Sequence, residues 1–193
     1  MFRPASTTSY GVVPGDAAGI QLLGEELAAL DPSVSAPEAR RVASGAHEEA
    51  RQLARDYRVA RPALFHNFLV NTGLKQRGLC YHWAEDLLAR LQAMNLVSLE
   101  VRWAIARAGT AREHNALVVT ARAQPFERGV VLDAWRHSGR LHWGRVAADR
   151  YPWLEGELNP PPKIQAREET ERTKEQRVEA IPPEQVRASW IVP

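Results

Sequence analysis

Two neighbouring stretches decide how this chain folds, Gly78-Leu79-Cys80-Tyr81-His82-Trp83-Ala84-Glu85-Asp86-Leu87-Leu88-Ala89-Arg90-Leu91 and Leu99-Glu100-Val101-Arg102-Trp103-Ala104-Ile105-Ala106. In the first, Cys80, Ala84, Leu87, Leu88 and Leu91 are spaced to share one helical face. This predicts a helix that starts at Cys80 and lays that face on a sheet. In the second, Leu99, Val101, Trp103 and Ile105 alternate with Glu100, Arg102, Ala104 and Ala106, the period of a strand. The change of period between them predicts an α+β fold, with the Cys80 helix packed on an antiparallel sheet.

Working backward, Ser35 before Pro37 and Glu38 marks a helix start. Val42, Ala46, Ala50, Leu53, Ala54 and Tyr57 form its apolar stripe, and Arg40, Arg41, Glu48, Glu49, Arg51 and Arg55 form a face for water. An earlier helix is carried by Ile20, Leu22, Leu23, Leu27 and Leu30, with Asp16 placed to cap it. Between these and Cys80, Pro62-Ala63-Leu64-Phe65-His66-Asn67-Phe68-Leu69-Val70-Asn71 is apolar enough to be expected inside the core.

Working forward, Glu113-His114-Asn115-Ala116-Leu117-Val118-Val119 and Val130-Val131-Leu132-Asp133-Ala134-Trp135 read as strands of a meander, joined by a loop containing Pro125 and Gly129. A turn at His137-Ser138-Gly139-Arg140 leads to a short strand at Leu141-His142-Trp143, and Tyr151-Pro152-Trp153 is placed to cover a sheet edge. Residues 1–15 read as an extended entry and 16–154 as one domain. Residues 155–193, rich in Pro and charge, read as a tail in which Trp190-Ile191-Val192 is a segment suited to docking.

The 193 residues carry 25 Lys and Arg against 23 Asp and Glu, a net charge of only +2, which argues against a nucleic-acid partner. No stretch approaches the roughly 18 apolar residues of a membrane span, and no leader is visible at the N-terminus. The expectation is a soluble chain, cytoplasmic or, if a leader has been removed, exported. Its single cysteine excludes an internal disulfide and any multi-cysteine metal site. Cys80 therefore requires another explanation.

Cys80, His114 and Asp133 supply a thiol, an imidazole and a carboxylate in that order, on a helix start and two strands. This is the layout of a nucleophile, its base and the group that orients the base. The positive end of a helix and a neighbouring imidazolium both favour a thiolate. The Cys80 N–H is a natural oxyanion donor, and Gln76 is the preferred second one, ahead of Asn71 and Asn67. Register is the difficulty. A loop centred near residue 125 gives paired residues summing to about 250, whereas His114 and Asp133 sum to 247. A shifted loop boundary or a bulge would then be needed to join them.

Gly78-Leu79-Cys80 opening a helix, His114 beginning a strand and Asp133 in Val131-Leu132-Asp133-Ala134-Trp135 resemble the transglutaminase-like cysteine hydrolase superfamily, over about residues 75–145. The resemblance implies a papain-like α+β core and acyl transfer through a thioester. The bond attacked would belong to a peptide, protein or peptidoglycan-type substrate, with hydrolysis more usual than cross-linking in bacterial relatives. It implies no cofactor and no metal. Where the family commonly has an aromatic residue soon after the histidine and Pro or Thr after the aspartate, this chain has Asn115-Ala116 and Ala134-Trp135.

Other readings compete. His82 lies two residues from Cys80, about 200° around the helix, and is assigned a structural role. His82, His137 and His142 lack the spacing of a zinc motif. Trp83, Trp103, Trp135 and Trp143 read as core and groove-lining aromatics. From another class of function, a catalytically inactive binding module would use the aromatic-lined groove and leave the thiol unreactive. A thiol redox sensor would need a second molecule to supply the partner sulfur.

Overall fold

The computed structural model describes residues 16–157, so both the entry segment and nearly all of the tail lie outside the described residues. Four helices, α1 (Asp16–Ala28), α2 (Ala36–Asp56), α3 (Ala63–Asn71) and α4 (Cys80–Gln92), precede five strands. The strands are β1 (Leu99–Ala106), β2 (His114–Ala121), β3 (Val130–His137), β4 (Arg140–Arg145) and β5 (Trp153–Gly156). All pairings are antiparallel and the order is β4-β3-β2-β1-β5. The meander is therefore as expected. Tyr151-Pro152-Trp153 leads into an edge strand beside β1 that runs past the expected boundary at 154.

α2 starts where its sequence signals it. The Ser35 hydroxyl accepts the Glu38 N–H, with Pro in the first turn. Glu38 itself is buried, and its carboxylate accepts the N–H groups of Val97, Ser98 and Leu99 at 2.8–2.9 Å. One side chain thus ties the start of α2 to the entry of β1. Val42, Ala46, Ala50 and Leu53 pack with Leu23 and Leu27 of α1 and with Leu87 and Leu91 of α4 in the main core.

Along β2, Leu117, Val119 and Ala121 face this helical core, while Ala116 and Val118 face a second cluster with Phe126, Val146 and Trp153. Both faces of β2 are buried, which accounts for its nearly continuous apolar sequence.

α3 corrects the expectation of a buried segment. Ala63 and His66 are buried, but Leu64 is 70 % exposed, Phe68 58 % and Phe65 49 %. Apolar composition all round a helix suggests full burial. Here a helix of nine residues touches the domain along one side only, and its bulkiest residues lie on the other. His66 holds it in place: Nδ1 accepts the Ala60 N–H and Nε2 donates to the Arg77 carbonyl.

Candidate active site

Cys80 is the first residue of α4, and the segment before it is tightly specified. Gly78 has φ +124, and a Cβ there would lie 2.2 Å from His66 Nε2, so both backbone conformation and space demand glycine. The N–H groups of Gly78 and Leu79 both donate to His82 Nδ1, at 3.1 and 3.2 Å. Trp83 Nε1 donates back to the Gly78 carbonyl at 2.9 Å. His82 thus caps the helix that carries the thiol. Burial, and secondly the Arg77 charge, push its pKa down to about 4, so it remains an acceptor at neutral pH.

The Cys80 side chain is partly exposed and reaches the start of β2. Its Sγ lies 3.9 Å from the Glu113 carbonyl oxygen and 3.9 Å from Asn115 Nδ2. Between these two residues stands His114, buried, with Nε2 2.7 Å from Asp133 Oδ2. Nδ1 is the ring nitrogen that Asp133 does not engage. Burial alone would lower the His114 pKa. The Asp133 carboxylate, through charge and hydrogen bond, and then the Cys80 sulfur overcome this and raise it to about 9.

The geometry explains how β2 and β3 unite His114 with Asp133. The observed pairs Leu117 with Leu132, Val118 with Val131 and Val119 with Val130 set the register one residue away from the expected sum. Extended along the strands, this register places His114 and Asp133 on one face, two positions off direct opposition, which is a diagonal pair within reach of side chains. β3 is also irregular between Asp133 and His137 in its pairing with β4. The Asp133 carboxylate accepts the N–H groups of Trp135 and Arg136, at 3.1 and 3.0 Å, where the ladder is interrupted.

Asp133 remains ionised for identifiable reasons. Burial opposes the charge, but His114, by charge and hydrogen bond, and then Arg136 bring the pKa down to about 2. Arg136 Nε lies 2.9 Å from Asp133 Oδ2, and its two terminal nitrogens meet the Asp149 carboxylate at 3.0 and 3.2 Å. His142 Nε2 lies 3.2 Å from the same Asp149. The result is a buried chain of alternating charge running from His114 through Asp133 and Arg136 to Asp149. Sequence reasoning missed Arg136 and Asp149, since their roles depend on the interrupted ladder and on the turn before β5. The one available signal was the three-residue step from Asp133 to Arg136.

Three aromatic rings surround His114: Trp135 at 4.7 Å, Tyr151 at 4.9 Å and Trp153 at 5.4 Å between centroids. Asn67 of α3 accepts the Trp135 indole N–H at 3.0 Å, so it positions an aromatic wall. Gln76 is exposed in the loop before α4, and Asn71 is exposed at the end of α3. Trp83 and Trp103 lie in the main core, with Trp135 and Trp143 at its edge. Among the described residues, no group of three or more His, Cys, Asp or Glu side chains is arranged to hold a metal ion. Among the described residues, no helix is long and apolar enough to cross a membrane.

Comparison with protein-family models, with curated proteins and with solved structures finds no match.

Proposed function

We propose that this chain is a cysteine hydrolase or acyl transferase with a papain-like, transglutaminase-like core, acting on an amide bond of a peptide, protein or peptidoglycan-type substrate. The observation that carries the reading is that His114, with Nε2 2.7 Å from the Asp133 carboxylate, stands between Glu113 and Asn115, the two residues whose atoms meet the Cys80 sulfur. Cys80 is the nucleophile, His114 carries the proton and Asp133 orients and charges the imidazole.

The thiolate adds to the substrate carbonyl, and the carbonyl π electrons move to oxygen. The first backbone N–H groups of α4, Cys80's own included, point out of the helix end and receive that negative charge. Collapse breaks the C–N bond, His114 gives its proton to the leaving amine, and a thioester remains on Cys80. Water then loses one proton to His114 while its oxygen adds to the thioester carbon. The C–S bond breaks with its electron pair on sulfur, restoring the thiolate and the imidazolium. An amine in place of water would make the same steps a transamidation. Gln76, exposed in the loop that precedes α4, is retained as the proposed second oxyanion donor.

The test uses p-nitrophenyl acetate, a small activated ester. The reading predicts repeated turnover with an acetylated Cys80 intermediate detectable by intact mass, turnover abolished in Cys80→Ala, and acylation without release in His114→Ala. Equal turnover in wild type and Cys80→Ala would overturn it.

A second reading, a binding module without catalysis, is favoured by the outward apolar side chains Leu64, Phe65 and Phe68 on α3. It predicts a thiol that neither acylates nor responds to substitution of His114.

A further inference from the structure

We propose that Asn115 is a further catalytic residue, whose side-chain amide donates a hydrogen bond to the Cys80 sulfur and stabilises it as thiolate. The inference rests on the cysteine-hydrolase reading and adds to it a group outside the Cys-His-Asp set.

His114 and Asn115 are consecutive in β2, so their side chains leave opposite faces of the sheet. Asn115 falls on the face shared with Leu117 and Val119, toward the helices, and is 5 % exposed. A buried primary amide has one acceptor oxygen and two donor hydrogens, all of which need partners. The oxygen is taken by Trp103, whose indole N–H donates to Oδ1 at 3.0 Å from a ring that is itself fully buried. An indole N–H only donates, so this contact fixes which end of the amide is oxygen.

The nitrogen therefore faces the other way. Nδ2 lies 3.3 Å from Glu113 Oε1 and 3.9 Å from Cys80 Sγ, one partner for each hydrogen. Glu113 is in turn anchored by the Gly109 N–H, which donates to Oε2 at 2.8 Å. The sulfur thus meets an oriented amide donor supplied by the residue that follows His114 in β2. In acyl transfer the sulfur carries negative charge twice, before it attacks and after it leaves the thioester. A donor that remains in place serves at both moments.

The experiment measures iodoacetamide alkylation of Cys80 from pH 5.5 to 9.5 in wild type, Asn115→Asp, Asn115→Ser and His114→Ala, with the melting temperature of each. Asn115→Asp preserves the acceptor for Trp103 and replaces the donor with a carboxylate oxygen. Asn115→Ser removes the amide without adding charge, and serves if the Asp variant does not fold. A hydrogen bond to a charged acceptor is worth roughly a tenfold to hundredfold effect.

The expected result is alkylation at pH 6 slowed at least about tenfold by either Asn115 substitution and recovering toward the wild-type rate at pH 9, a change of pH profile that lost packing alone does not produce. Wild-type behaviour in folded Asn115 variants, with His114→Ala still slow, would overturn the role of Asn115 and leave the hydrolase reading intact. Slow alkylation in wild type that His114→Ala does not change would overturn both.

Discussion

His114 Nε2 and Asp133 Oδ2 lie 2.7 Å apart on neighbouring strands, both buried, with the imidazole pKa raised to about 9 and the carboxylate lowered to about 2. Removing Asp133 takes from the buried imidazole its counter-charge, whereas removing His114 leaves Asp133 with Arg136 and two backbone N–H donors.

This pair makes stability depend on pH. The folded-state pKa of His114 lies above its ordinary 6.5, so its contribution is fully present below pH 6.5 and is lost as pH rises through 9. One pKa unit corresponds to about 1.4 kcal/mol, so the loss between pH 6.5 and 9.5 is at most about 3 kcal/mol. Urea denaturation across that range is expected to show the decline in wild type and a flatter profile in His114→Ala.

The buried Arg136 gives a second expectation. Arg136→Met leaves Asp149 without its two-pronged partner and weakens the support of Asp133, a change expected to cost about 3–5 kcal/mol. Arg136→Lys keeps the charge but lacks the planar fork, and should fall between wild type and Met. Chemical denaturation provides the comparison.

Asp133→Asn tests orientation apart from folding. The amide fits the same space but cannot hold the imidazolium, and ester turnover is expected to fall by about 10²–10⁴-fold while the acylation site stays on Cys80. Steady-state kinetics with p-nitrophenyl acetate measure this loss.

Gly78→Ala connects fold to site. The added methyl would meet His66 Nε2 at 2.2 Å on a backbone with φ +124. Expected are a destabilisation of about 2 kcal/mol or more and slower Cys80 alkylation, because the displaced loop carries the start of α4. Melting curves and alkylation rates are both read on this variant.

Much of this arrangement was legible in the sequence, and particular residues show why. Ser35, Pro37 and the stripe of α2 act locally, so their signals survive in the chain itself. The alternation of β1, which burial follows from Leu99 to Trp103, and the two-residue turn Ser138-Gly139, with φ of +54 and +93, are local too. The order Cys80, His114, Asp133 could be read because each residue stands in a distinct apolar setting.

What escaped depends on tertiary context. The register of β2 on β3 is fixed by the 122–129 connection, including the short turn Phe126–Arg128, which period alone does not place. α3 reads as core because its composition does not say that only the Ala63 and His66 side meets the domain. The position of Asn115 in β2 does not by itself point to the thiol, and its contact with sulfur emerges only when β2 lies beside the N-terminus of α4. Arg136 and Asp149 meet across thirteen residues, through a break in the β3–β4 ladder.

Whether His114 acts on the Cys80 sulfur is decided by the rate of iodoacetamide alkylation of Cys80 at pH 6 in wild type and in folded His114→Ala. Rapid alkylation in wild type and at least about a tenfold slower reaction without the imidazole are expected. Equal rates in the two proteins would show that the imidazole does not act on the thiol.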